Sequence, residues 1–267
     1  MADDDNRSRL RPIRTSTETP DDGVPGRRRG YRRGVALLPN LITTGALFSG
    51  FYAIVAGMNG RFVAAGLAVY VAMLLDAADG RVARLTKSES DFGAEFDSLS
   101  DMVAFGVAPA LVAFSWALSG LDQVGWVVTF VYMACAALRL ARFNTQETDH
   151  RTFTGLPSPA AAAVVAGTVW VWSEALGGAE PGILTAIGLG VITAATGLLM
   201  VSNFKYFSPK VINFRGRVGF FTLVGVTLGF AVVLADPPKL LLLLFTVYAL
   251  SGPGRYLWQR LRATEEA

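Results

Sequence analysis

Cysteine and histidine are almost missing from these 267 residues, with one of each. The lone Cys135 sits in an apolar run, which excludes an intrachain disulfide and a cysteine-based metal site. It reads as a small buried or lipid-facing residue. A single His150 argues against a histidine-rich metal centre and against a Ser-His-Asp triad. Charge is also scarce: Asp, Glu, Lys and Arg make up 17% of the chain, below the quarter or so typical of soluble domains. No early apolar core marks a cleavable signal peptide. No internal repeat of the kind that organises many transporters is visible, and no folded nucleic-acid-binding module accompanies the basic residues.

What is abundant is apolar sequence, 52% of residues, in blocks of about 20 rather than in a 3.6- or 2-residue alternation. The pattern predicts an all-α, polytopic membrane helix bundle of about eight transmembrane helices. The spans fall near 38–58, 62–85, 96–119, 123–143, 156–176, 182–202, 218–235 and 238–260. Residues 1–33 are polar and read as a disordered basic tail ending in "GRRRGYRRG", a topology signal and anionic-lipid contact. Nucleic acid is not expected as a partner; membrane lipids are. Of the 24 Lys and Arg, 22 fall on one face of the predicted topology, leaving Arg61 and Lys239 on the other. That asymmetry predicts both termini on the cytoplasmic side of the cell's inner membrane.

Against this background stands "DAADGRVARLTKSESDFGAEFDSLSD", residues 76–101. A helix from about 61 to 85 reaches roughly 37 Å, longer than the ~30 Å hydrocarbon core. Its last turns therefore project to the cytoplasmic interface, with Asp76, Asp79, Gly80 and Ala83 on one face. Asp97 and Asp101 stand i, i+4 at the start of the next span, with Gly93 one turn earlier. Two carboxylate pairs on adjacent antiparallel helices can converge, and four converging carboxylates need cations. Oxygen-only ligands favour Mg²⁺ or Mn²⁺, commonly bound with substrate phosphates. The small residues let a bulky group approach the backbone, and Arg84 adds a phosphate-seeking guanidinium. Glu89, Asp91 and Glu95 read as incidental acids of a solvated loop.

The segment spells D-x-x-D-G-x-x-A-R, eight residues, then G-x-x-x-D-x-x-x-D, and so resembles the signature of the CDP-alcohol phosphatidyltransferases. The resemblance implies a two-metal site on Asp76, Asp79, Asp97 and Asp101 that grips the pyrophosphate of CDP-diacylglycerol. It implies Asp101 as the base that deprotonates the acceptor alcohol, and Gly80, Ala83 and Arg84 as the lining of the nucleotide pocket. "LPNLITTGALFSGF" brings Asn40 and Thr43 to the same face and, with "SDMVAFGVAPA", "ALRLARFN", "FTGLPSPAAA" and "LLMVSNFKYFSPK", is similar to the integral-membrane phosphatidylserine synthases. L-serine is then the expected acceptor. Arg139 and Arg142, at i and i+3, are placed for its carboxylate, although Arg142 also suits positive-inside anchoring. Asn144 and the carbonyls of "GLPSP" (Gly155, Pro157) are placed for its ammonium. Lys205, Tyr206, Ser208 and Lys210 suit either a phosphate or anchoring. Basic residues alone equally suit glycerol 3-phosphate or inositol phosphate. The likeness divides the chain into a six-helix core, 34–217, and two additional helices in 218–267, and it implies a homodimer. A cation transporter is the rival from another class, with intramembrane acids at midplane depth rather than near one interface.

Overall fold

The computed structural model describes residues 28–145, 152–207 and 235–265, apart from Lys87 and Glu89. It is an all-α bundle. α1 (Arg28–Met58) and α2 (Phe62–Thr86) form an antiparallel hairpin. α3 (Asp91–Asp101) runs through a π-helical turn, Met102–Val107, into α4 (Ala108–Trp116). A 3-10 turn (Leu118–Leu121) leads to α5 (Asp122–Thr145), followed by α6 (Ser158–Ala175), α7 (Ile183–Val201) and α8 (Pro237–Glu265).

Among the described residues, six helical stretches are long and apolar enough to cross a membrane: Leu38–Met58, Phe62–Thr86, Asp91–Trp116, Leu118–Thr145, Ile183–Val201 and Pro237–Gln259. The chain is a multi-pass membrane protein. The predicted span at 156–176 is present as α6, yet it differs in kind from these six. Twelve of its 18 residues are buried, because α2, α4, α7 and α8 pack around it. Its alanines and glycine allow that closeness, as small residues do at helix contacts in lipid. The Tyr70 hydroxyl, for example, occupies the space a Cβ on Gly167 would take and donates to the Ala163 carbonyl at 2.8 Å. The outward surfaces carry large apolar side chains such as Leu41, Leu74, Val127 and Leu184, which is the face a bilayer solvates. The predicted span at 218–235 lies outside the described residues.

Three boundaries differ from the hydropathy reading, each for a local reason. The first helix begins at Arg28, so the end of the predicted disordered tail is helical; residues 1–27 lie outside the description. The third span begins at Asp91 rather than near 96 because Ser90 caps it: its Oγ accepts from the Gly93 amide at 3.1 Å. Asp91 and Glu95, expected in a loop, are exposed residues of this helix; Glu89 is not described. Last, the connection after α5 contains a strand absent from the prediction. β1 (Thr152–Thr154) pairs antiparallel with β2 (Lys205–Phe207), Phe153 opposite Tyr206. This short ribbon ties the entry of α6 to the exit of α7 without changing the fold class.

Candidate active site

The end of α2 and the start of α3 meet at one end of the bundle. One carboxylate oxygen from each of Asp76, Asp97 and Asp101 lies within 4.8 Å of the others, and all three side chains are partly exposed. Opposite ligands of a hexacoordinate Mg²⁺ stand about 4.2 Å apart, twice its ~2.1 Å bond. Three carboxylate oxygens at this spacing, in a group that includes no His or Cys among the described residues, suit a hard divalent ion. Asp79 is not in this trio. It is only 4% exposed, and its Oδ2 accepts from Thr43 Oγ1 at 2.6 Å. Thr43 Oγ1 also lies 3.1 Å from the Pro39 carbonyl, but a hydroxyl has one proton, and the shorter contact to the carboxylate claims it. Asp79 remains an electrostatic neighbour of Asp97.

Beside the trio opens a cavity of about 440 Å³ whose lining includes Asn40, Thr43, Asp79, Gly80, Ala83, Gly93 and Asp97. Five of the six residues expected at the CDP-diacylglycerol site (Asn40, Thr43, Gly80, Ala83 and Gly93) thus share one space. A Cβ added at Gly80 would meet no atom within 4 Å, while one at Gly93 would come within 3.1 Å of Ser90 Oγ and 3.4 Å of Asn40 Oδ1. The sixth, Arg84, lies outside that lining. It is exposed, and its Nε donates to the Gly80 carbonyl at 2.9 Å, one turn back on its own helix.

Asp101 is held at a break in helical geometry. The π-turn that follows it widens the backbone, and the Phe105 carbonyl inside that turn accepts from the buried Tyr132 hydroxyl at 3.0 Å. On the far side, Gly50 of α1 faces Ala104 so closely that an added Cβ would stand 2.8 Å from its Cα. The turn is clamped between α1 and α5.

The residues expected to receive an acceptor separate into two groups. Arg139 lies within electrostatic range of the carboxylates. Its Nη1 donates to the buried Ser158 Oγ at 2.7 Å, and its electrostatic neighbours include Asp101. Arg142 donates from Nη1 to Asn203 Oδ1 at 3.2 Å, and Asn144 donates from Nδ2 to Ser98 Oγ at 3.1 Å. Both therefore brace neighbouring segments. Gly155 is buried at φ +83°, where an added Cβ would strike the Met200 carbonyl, and its amide donates to the Phe204 carbonyl at 2.9 Å. The Pro157 carbonyl accepts from the Ala161 amide at 3.0 Å in the first turn of α6. Lys205 is exposed, whereas Tyr206 is buried, donates to the Ala249 carbonyl at 3.0 Å, and has its phenol pushed up to about 12 by burial. Ser208 and Lys210 lie outside the described residues. Ser158, Ser98 and Tyr132 were not singled out from the sequence. Ser158 stood inside "GLPSP", but its side chain carries no pattern that distinguishes an arginine anchor from a turn residue.

A model of the CDP-alcohol phosphatidyltransferase family matches residues 36–207. A Helicobacter pylori (strain ATCC 700392 / 26695) protein named CDP-diacylglycerol--serine O-phosphatidyltransferase is 36% identical over 227 residues, covering 83% of this chain and 92% of its own. The Bacillus subtilis (strain 168) protein of that name is 35% identical over 169 residues, covering 63% of this chain and 89% of its own. One from Methanocaldococcus jannaschii is 35% identical over 189 residues, 71% of this chain and 82% of its own.

Proposed function

Because this chain belongs to the CDP-alcohol phosphatidyltransferase family, we propose that it transfers the phosphatidyl group of CDP-diacylglycerol to L-serine, giving phosphatidylserine and CMP. The observation that carries this reading is the position of Asp101. It belongs both to the carboxylate trio beside the cavity and to the electrostatic surroundings of Arg139. A group at that junction touches donor and acceptor at once.

Asp76, Asp97 and Asp101, with Asp79 at the cavity wall, would hold Mg²⁺ or Mn²⁺ in a two-metal site. Bound there, the ions neutralise pyrophosphate charge and stabilise the leaving group. The nucleotide occupies the cavity walled by Asn40, Thr43, Gly80, Ala83 and Gly93, with Arg84 available to a phosphate from outside. Arg139 receives the serine carboxylate; Asn144, Gly155 and Pro157, expected at its ammonium, serve instead to brace the segments around it. Asp101 takes the proton from the serine hydroxyl as that oxygen bonds to the diacylglycerol-bearing phosphorus in line. The phosphorus–oxygen bond to CMP breaks, and its electron pair leaves with CMP. The acyl chains remain in the bilayer. We place the site and both termini on the cytoplasmic side of the cell's inner membrane, and the assembly as a homodimer.

The relatives' names and the "LRLARFN" and "GLPSPAA" segments support serine over other alcohols. The deciding assay offers the purified protein CDP-diacylglycerol, Mg²⁺ or Mn²⁺, and serine, glycerol 3-phosphate or inositol phosphate separately, with product lipids resolved by chromatography. CMP release and phosphatidylserine are expected with serine alone. A phosphatidylglycerol phosphate product without phosphatidylserine would overturn the acceptor assignment while leaving the chemistry intact.

A further inference from the structure

The approach to α6 reads Gly-Leu-Pro-Ser-Pro, residues 155–159, and it leaves one hydroxyl little freedom. Pro157, at φ −57° and ψ 135°, caps α6, and Pro159 follows in the first turn. A proline ring fixes its own φ and restricts the residue before it, so Ser158 is braced from both sides. The Gly155 and Leu156 amides donate to the Phe204 and Leu199 carbonyls, each at 2.9 Å, which ties the approach to the end of α7. Ser158 itself is fully buried. Its Oγ accepts from Arg139 Nη1 at 2.7 Å.

The backbone also sets the height of Arg139 in the bundle. On α5 it follows Tyr132 by seven residues, two turns along one face, or about 10 Å. Tyr132 donates to the Phe105 carbonyl, and Phe105 lies one turn past Asp101, about 6 Å. α4 and α5 pack side by side across the short Leu118–Leu121 turn, so they run in opposite directions and both steps lead to the carboxylate end. A long helical side chain leans back toward its own N-terminus, which closes much of the difference in height.

Ser158 occupies only Nη1. Nε, which shares an edge of the guanidinium plane with Nη2 rather than with Nη1, is buried and has no hydrogen-bond partner among the described residues. A charged donor left buried and unpaired is destabilising, so this edge suits an incoming acceptor. Nε and Nη2 carry two parallel N–H groups, which match the two oxygens of a carboxylate.

We propose that Ser158 is a positioning residue for the acceptor: by holding Nη1 it turns the Nε–Nη2 edge of Arg139 toward an amino-acid carboxylate. This rests on the reading of Arg139 as the carboxylate site. It gives the two prolines a purpose as well, since a hydroxyl that orients an arginine must itself be fixed.

Ser158→Ala removes the hydroxyl, and Ser158→Cys nearly keeps its volume but accepts hydrogen bonds only weakly. In both, the KM for L-serine should rise about tenfold, the scale of one hydrogen bond to a charged group. The KM for CDP-diacylglycerol should stay at the wild-type value. L-Serinamide keeps the hydroxyl and lacks the carboxylate charge, so its KM should be the same in all three proteins. Arg139→Lys supplies a coupling test. An ammonium has no plane to orient, so adding Ser158→Ala to it should raise the KM for serine no further. An unchanged KM for serine in a folded variant would overturn the role. So would equal losses for serine and serinamide, or a further tenfold rise in the Arg139→Lys background. Loss of folding in both Ser158 variants would overturn it too, because the hydroxyl would then be a requirement of the fold. If the wild type turns over a phosphorylated alcohol instead of serine, the serine reading falls. An unchanged KM for that acceptor in Ser158→Ala would then overturn Ser158 separately, and a raised one would sustain it.

Discussion

Asp101 is exposed to competing demands at a single side chain. Its carboxylate stands beside Asp76 within the trio's 4.8 Å spacing and lies in the electrostatic surroundings of Arg139. A carboxylate has two oxygens, so one can serve an ion while the other accepts a proton. Asp101→Asn keeps the size and removes the basicity. Its turnover should fall by roughly 10²–10⁴, the usual contribution of a positioned base, while CMP binding measured by calorimetry in the presence of Mg²⁺ persists. Wild-type turnover in this variant would remove Asp101 as the base. The four aspartates and their grouping on two helix ends were legible from spacing alone, because i, i+3 and i, i+4 intervals on helices fix which side chains share a face. That Asp79 pairs with Thr43 was not legible. The contact joins residues 36 positions apart, and no local interval encodes it.

At the level of elements, the connections carry what hydropathy could not supply. A window average registers apolar length but not a π-turn, and Met102–Val107 is as apolar as the α4 that follows it. The turn becomes visible only where Tyr132 and Gly50 close on it. The β1–β2 ribbon escaped for another reason: each strand has three residues, and their pairing depends on α6 and α7 bringing the ends together. Gly155 sits where that ribbon meets α6, and its location bears on its expected role near the acceptor. Two glycines with positive φ separate backbone strain from steric clash. Gly178 has φ +90° and open space around a notional Cβ, whereas Gly155 has φ +83° and the Met200 carbonyl in the way. Gly178→Ala should cost only the left-handed penalty, about 1–2 kcal/mol. Gly155→Ala should cost more, seen as a larger drop in melting temperature, because α7's last carbonyls must move. Equal drops would show that the ribbon gives way freely. A loss of serine affinity without any thermal change would instead favour a direct binding role for Gly155.

For the whole molecule, charge distribution and fold give the same two faces. Arg81, Arg84, Arg139, Arg142 and Lys205 cluster at the end that holds the carboxylates, while Arg61 and Lys239 stand at the other. Lys239 at the start of α8 and Glu174 near the end of α6 belong to two helices that pack on each other and are electrostatic neighbours. Positive residues stay on the cytoplasmic side during insertion, so the active site is expected there, where serine and the nucleotide are soluble. The lone cysteine makes the test direct. Cys135 is 7% exposed and close to alanine in size, so Cys135→Ala should give a folded background without reactive thiols. In that background Ala179→Cys reports the α6–α7 connection and Leu261→Cys the end of α8; both positions are exposed. A membrane-impermeant maleimide applied to intact spheroplasts should label the cysteine at 179 at once and the one at 261 only after permeabilisation. The reverse pattern would place the carboxylates on the outer face. An enzyme there would meet neither a nucleotide-activated lipid supplied from the cytoplasm nor a cytoplasmic amino acid, so inversion would count against the proposed reaction as well as the topology.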